Sequence, residues 1–262
     1  MFADYHVHTY YSDDCDCPMA EMLERAKELH IEEIAFTDHV DYGVKTGKDN
    51  CDYERYFAEI SEREEELSGI IRIKRGIEFG VQLHTAAAYE KDFKRYPFDF
   101  VIMSNHQIGD KGFWNQKFQT GKTQDEYQRA YYEELLKLTT AYKNYSVLGH
   151  PDLIKRYDKC GDYPDSKIID IVEAILKQVI SDGKGIEVNT SCFHYGLKDL
   201  TPSTEILKLY RELGGEILTI GSDAHSTKYL GDRIPEVKER LKDIGFKAFC
   251  TFTRMKPDFH SL

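Results

Sequence analysis

Two imidazoles two residues apart, His6 and His8, end the first strand-like segment of the chain, Ala3–His8. Side chains at i and i+2 on a strand share a face, so both rings can enter one space at its C-terminal end. A His-x-His pair is also an ordinary surface pattern. This chain, however, repeats the arrangement. Thr37-Asp38-His39, Gly76-Ile77-Glu78, Ser104-Asn105-His106, Gly149-His150-Pro151 and Ser222-Asp223-Ala224-His225 all follow short apolar runs. Segment ends tipped so regularly with imidazole or carboxylate predict a metalloenzyme.

Imidazole with carboxylate suits zinc, iron or manganese and requires no thiolate. The candidate ligands are His6, His8, Asp13, His39, Glu78, His106, His150, Asp223 and His225. A single catalytic zinc takes about three protein ligands, so this set can serve two or three divalent ions, with Glu78 as a bridge. Clustered cations bind phosphate oxygens, make water acidic and neutralise charge in a displacement at phosphorus.

The residues differ in what else they could do. Glu78 faces inward if Ile77 and Phe79 face helices, and an inward carboxylate is costly without a cation. His39 could instead cap a helix or sit in the core, and His150 before Pro151 could serve a turn. Asp13 is the expected ligand of the first loop, although its neighbour Asp14 could equally reach inward. His30, His84 and His260 read as surface residues. His194, beside Thr190-Ser191, is either a substrate contact or a local loop residue. Cys15-x-Cys17 reads as two reduced thiols rather than a soft-metal site.

Strand-length apolar runs occur at Ala3–His8, Glu33–Thr37, Ile71–Phe79, Phe98–Met103, Tyr145–Leu148, Gly185–Asn189, Ile217–Ile220 and Lys247–Phe252. Between them, Met19–Leu29, Tyr53–Leu67, Tyr127–Tyr142, Ile168–Ile180, Ser203–Leu213 and Pro235–Ile244 show helical periodicity. Asp165-Ser166 can cap the helix at Ile168, Pro202-Ser203 opens the next one, and Gly214-Gly215 follows it. Repeated βα units imply parallel strands with helices outside. Seven or eight of them suit a (β/α) barrel, for which about 250 residues is typical and whose chemistry sits at the strands' C-terminal ends. Every candidate ligand lies at such an end. The long irregular stretch from His106 to Thr123 would be a lid over the same face.

No Pro-, Gly- or Ser-rich stretch interrupts this alternation, so residues 1–262 are expected to form one domain. The formal charge of −11 argues against a nucleic-acid groove. The chain shows no basic head followed by an apolar stretch at its start, and no run of about 20 apolar residues. It reads as soluble and cytoplasmic.

The ordered set of motifs resembles the polymerase and histidinol phosphatase (PHP) superfamily, and within it the stand-alone histidinol-phosphatases. The likeness rests on Asp4-Tyr5-His6-Val7-His8-Thr9 through Ser12-Asp13, Phe36-Thr37-Asp38-His39, Lys74-Arg75-Gly76-Ile77-Glu78-Phe79-Gly80, Ser104-Asn105-His106, Gly149-His150-Pro151-Asp152, Gly185-Ile186-Glu187-Val188-Asn189-Thr190-Ser191 and Gly221-Ser222-Asp223-Ala224-His225. The resemblance implies a distorted (β/α)7 TIM-like barrel with a trinuclear metal site. One ion would take His6, His8, Glu78 and Asp223; a second would share Glu78 and add His106 and His150; a third would take Asp13, His39 and His225. It implies hydrolysis of L-histidinol phosphate to L-histidinol and phosphate, in histidine biosynthesis. Arg156 would clamp the phosphate, with Asn189 and His194 as further substrate contacts, Asp223 as a catalytic ligand, and His194 or a metal-bound water as the proton donor to the leaving alkoxide. The alternative is another PHP phosphoesterase, acting on nucleotides, oligonucleotides or phosphotyrosyl protein.

Overall fold

The computed structural model describes residues 1–45 and 49–262. Along the chain run β1 (Ala3–Val7), α1 (Met19–Glu28), β2 (Glu33–Phe36), β3 (His39–Val40), α2 (Tyr53–Glu66), β4 (Arg72–Gly80) and α3 (Ala86–Arg95). There follow β5 (Phe100–Ser104), β6 (Gln107–Ile108), β7 (Lys111–Gly112), α4 (Gln124–Ala141), β8 (Val147–Leu148) and α5 (Ile169–Ser181). The chain continues through β9 (Gly185–Asn189), α6 (Thr204–Glu212), β10 (Leu218–Gly221) and α7 (Ile234–Ile244) to a hairpin of β11 (Ala248–Thr253) and β12 (Lys256–Ser261).

The main sheet is parallel and runs β1-β2-β4-β5-β8-β9-β10, with β3 added to the far end of β4. A bridge between Val7 and Ala224 brings the two edges together, and the His8 N–H donates to the Ala224 carbonyl at 3.0 Å. The result is the expected distorted seven-stranded barrel. Its helices bury one stripe each: α1 does so with Met19, Met22, Leu23 and Ala26, spaced at the helical period. α4 starts with a capping box, in which Thr123 and Glu126 satisfy each other's backbone N–H groups.

Three expectations need correction. The run at Lys247–Phe252 forms no barrel strand. It folds with β12 into an antiparallel hairpin, whose Phe252, Arg254 and Met255 N–H groups donate to Tyr5 and Asp99. This places it across the N-terminal mouth, because Asp99 directly precedes β5. Asp165 does not cap α5; it takes a hydrogen bond from Ser203 Oγ and an ion pair from Lys155. Helix α3 escaped the periodicity because of its sequence: three successive alanines and scattered charges leave Tyr89 as its one buried side chain. The stretch after His106 is more ordered than expected. It opens with the β6–β7 hairpin and then makes turns up to Thr123.

Candidate metal centre

Strand parity aims the cluster. On β4, Glu78 points into the barrel while Ile77 and Phe79 are buried among the helices, and on β1 His6 shares the face of Asp4. Glu78 is the hub. Its Oε2 lies 2.9 Å from His39 Nδ1, 3.3 Å from His6 Nε2 and 3.8 Å from His8 Nε2. Its Oε1 lies 3.0 Å from His150 Nε2 and 3.2 Å from His106 Nε2. Asp223 Oδ1 faces His8 Nε2 at 3.4 Å, His225 Nδ1 at 3.6 Å and His6 Nε2 at 3.7 Å. The His8 ring is stacked between those of His39 and His225, with centroids 4.3 and 4.1 Å away.

A metal fits this geometry and proton sharing alone does not. Among the described residues, His6 Nε2, His8 Nε2, His39 Nδ1, Glu78 Oε2, His150 Nδ1 and His225 Nε2 are buried without a hydrogen bond. Those of His6, His8, His39, Glu78 and His225 lie at the cluster; such buried, unsatisfied polar atoms are costly in a protein interior and form a donor set that a cation cluster can use. Overlapping triads, His6–His8–Asp223, His6–Glu78–His150, His8–His39–His225 and His39–Asp41–His106, each have ligand atoms within 4.8 Å of one another.

The electrostatics agree. Burial alone would raise the Glu78 carboxyl, but His6, His106 and His39 hold it well below the usual range. Burial, with His225 and His39 close by, drives the His8 imidazole well below its ordinary value, so it is a neutral ring with a free lone pair. His150 and Asp223 both have left-handed backbones, with φ of 24° and 56°, a conformation uncommon outside glycine. Asp4, in the barrel floor, shapes the second of these turns. It accepts from the Ser222 and Gly231 N–H groups, and burial pushes its carboxyl up to about 6.

The side chains of His6, His8, His39, Glu78, His106, His150, Asp223 and His225 come together at the strand ends. Asp13 does not join them. Its carboxylate forms an ion pair with Lys45, while the half-exposed Asp14 stands 3.4 Å from His225 Nε2 and 3.7 Å from His39 Nε2. Asn189 is also displaced from its expected role. It is buried behind the site, donating to Asp223 Oδ2 at 3.3 Å and accepting from Ser191 N–H at 3.0 Å, so it holds Asp223 rather than facing the cavity. Asp41 was missed by the sequence reading. It accepts from His106 Nδ1 at 2.9 Å, and its position two residues past His39 repeats the i, i+2 signal of His6 and His8.

A cavity of about 610 Å³ opens over the cluster. Arg156, on a 3-10 turn after β8, enters it with a nearly buried side chain: Nη2 sits 3.0 Å from Asp223 Oδ2, and the guanidinium stacks on Tyr195 at 4.3 Å. His194 lines the wall, stacked on Tyr229 at 4.3 Å; burial, followed by Arg156, lowers its pKa. Trp114 and Lys45 border the mouth.

Comparison with known proteins agrees with this picture. Residues 4–191 match the PHP domain. The histidinol-phosphatase of Lactococcus lactis is 32% identical, over 97% of this chain and 96% of that one. A probable histidinol-phosphatase of Thermotoga maritima is 26% identical, over 93% of each. The crystal structure of the Lactococcus lactis histidinol phosphate phosphatase, in complex with zinc, L-histidinol and phosphate, superposes with a TM-score of 0.90 at 31% identity, covering 98% of both chains. A putative histidinol phosphatase from Listeria monocytogenes, at 19% identity, shares the fold with a TM-score of 0.74 over 87% of this chain and 97% of that one. A PHP-domain match over most of the chain, joined to a cluster built at the barrel's strand ends, makes the assignment: this chain belongs to the PHP domain family.

Proposed function

We infer that this chain is a metal-dependent phosphatase that hydrolyses L-histidinol phosphate to L-histidinol and inorganic phosphate. The observation that carries the reading is one cavity joining an imidazole–carboxylate cluster to a buried guanidinium. It is supported by near-complete superposition on a phosphatase whose structure holds zinc, L-histidinol and phosphate.

In this reading His6, His8, Glu78 and Asp223 hold one ion, Glu78, His106 and His150 a second, and His39, His225 and Asp14 a third. When bound, the cations polarise the phosphoryl oxygens and make water acidic enough to attack at neutral pH. The protein's own groups do the rest. Arg156 presents a planar donor fork suited to two phosphate oxygens, and Asp223, Ser191 and Tyr195 hold it in place. Asn189 keeps Asp223 aimed at the cluster. His194 lines the cavity as a substrate contact, its imidazole pKa lowered by burial. Tyr195, Tyr229 and Trp114 offer flat faces to the imidazole end of the substrate.

No helix among the described residues is long and apolar enough to cross a membrane. Six free cysteines support a reducing, cytoplasmic setting. A phosphate-release screen of metal-loaded protein tests the function against L-histidinol phosphate, nucleotides, a phosphotyrosine peptide and short single-stranded DNA. The highest kcat/KM is expected for L-histidinol phosphate, and preference for another substrate in that panel would refute it.

A further inference from the structure

Glu187 belongs to none of the metal-holding sets above, yet it is fully buried and touches two of their members. It lies on β9, two residues before Asn189 and on the same inward face. Its Oε1 is 2.5 Å from His6 Nδ1, and its Oε2 accepts the backbone N–H of His150 at 2.9 Å. Asn189 Nδ2 donates to the same Oε2 at 3.3 Å. Room for this carboxylate exists because residue 221 is glycine: a Cβ there would lie 2.7 Å from Oε1 and 2.3 Å from the Cβ of His6.

We propose that Glu187 is a positioning residue that locks His6 in the tautomer whose Nε2 lone pair faces the cation site, while gripping His150 at its strained backbone. The proposal rests on the metal-site reading given above.

The logic is one of donors and acceptors. The N–H of His150 can only donate. For His6 Nε2 to offer a lone pair, the ring's proton must sit on Nδ1, which then donates as well. Two donors converging on one side chain require two acceptor oxygens, and a carboxylate supplies them. Glutamine has the same shape but one acceptor and one donor. With its carbonyl kept at His150, its NH2 faces Nδ1 and drives the ring proton to Nε2, where it blocks the metal. With the amide reversed, its NH2 opposes the His150 N–H. Alanine leaves space that water can enter, and water can accept from both donors.

This ranks the substitutions in an unusual order. If Glu187 merely packs the barrel floor, the isosteric Glu187→Gln is mild and Glu187→Ala severe. If it sets the tautomer, Glu187→Gln harms zinc binding at least as much as Glu187→Ala does. The experiment measures zinc per chain by elemental analysis and zinc affinity by competition with a chromophoric chelator. Wild type, both variants and the His6→Ala and His6→Ala/Glu187→Gln pair are compared, with melting of each metal-free protein. The expected result is a loss of zinc affinity of about 10–100-fold in Glu187→Gln, equal to or greater than that in Glu187→Ala. The metal-free melting temperature should be little changed, and Glu187→Gln should add little in the His6→Ala background. Wild-type zinc affinity in Glu187→Gln, or a milder effect than in Glu187→Ala, overturns the proposal. Should Glu187→Gln not fold, a folded His6→Ala/Glu187→Gln supports the tautomer conflict and an unfolded one overturns it. A wild-type chain that binds no divalent ion removes the metal-site reading itself, and the proposal with it.

Discussion

Arg156 and Asp223 form an ion pair across the cavity floor, Nη2 to Oδ2 at 3.0 Å, while the other oxygen of Asp223 turns to His8 and His6. One carboxylate thus joins the imidazole cluster to the guanidinium, and the Asp223 charge, against the cost of burial, keeps Arg156 charged at any accessible pH. Arg156→Ala is expected to lower kcat/KM for L-histidinol phosphate by about 2–4 kcal/mol while metal content is kept. Arg156→Lys should recover part of this, because an ammonium cannot make a forked contact. Steady-state kinetics on both variants, beside metal analysis, check it. An unchanged kcat/KM in Arg156→Ala refutes the clamp.

Glu78 stands within 3.8 Å of five imidazoles. Glu78→Gln removes the shared charge and sets an NH2 against lone pairs, so kcat should fall on the order of 100-fold or more. The metal-free variant should melt below metal-free wild type, since the imidazoles that hold the Glu78 carboxyl well below its usual range lose their charge partner. Kinetics, metal content and a thermal melt together decide the matter.

Asp14 and Asp13 are neighbours with different partners. Asp14→Asn is expected to weaken one ion and lower the metal content per chain. Asp13→Asn breaks a pair with Lys45 and should leave the content intact. Elemental analysis after dialysis distinguishes them; the reverse order would restore Asp13 to the cluster.

The pKa of His194 is lowered by burial, so its proton is lost below the ordinary value of 6.5. A donor with that pKa would lose activity as pH rises through the acidic range. The expected kcat profile shows no such fall between about pH 6 and 8, and His194→Gln should shift KM while keeping the profile's shape. A falling limb in wild type that disappears in His194→Gln would assign it proton transfer.

Metal removal should abolish turnover and lower the melting temperature, because the ions bind the folded chain and not the unfolded one. The metal-free barrel should still melt cooperatively, since its apolar core is independent of the site. Chelation followed by zinc or manganese addition, read by calorimetry and activity, tests both statements.

Pattern alone determined the barrel, its strand ends and which eight side chains would gather at them, because strand and helix periods dictate which side chains share a face. His6, Glu78 and Asp223 were legible for that reason. What the tertiary structure decided lies where no period operates. That Asp14 and not Asp13 approaches His39 and His225 depends on the course of a loop and on Lys45, which is more than thirty residues from Asp13. The last apolar run looks like a strand by composition, yet its pairing partner is β12 and not the barrel edge, which β1 has already closed. Asn189 reads as a cavity residue until Asp223 is seen standing in front of it. The work of Glu187 and Asp41 on His6 and His106 is likewise invisible in one dimension. A hydrogen-bond partner across a barrel is chosen by distance in space, and sequence separation carries no information about it.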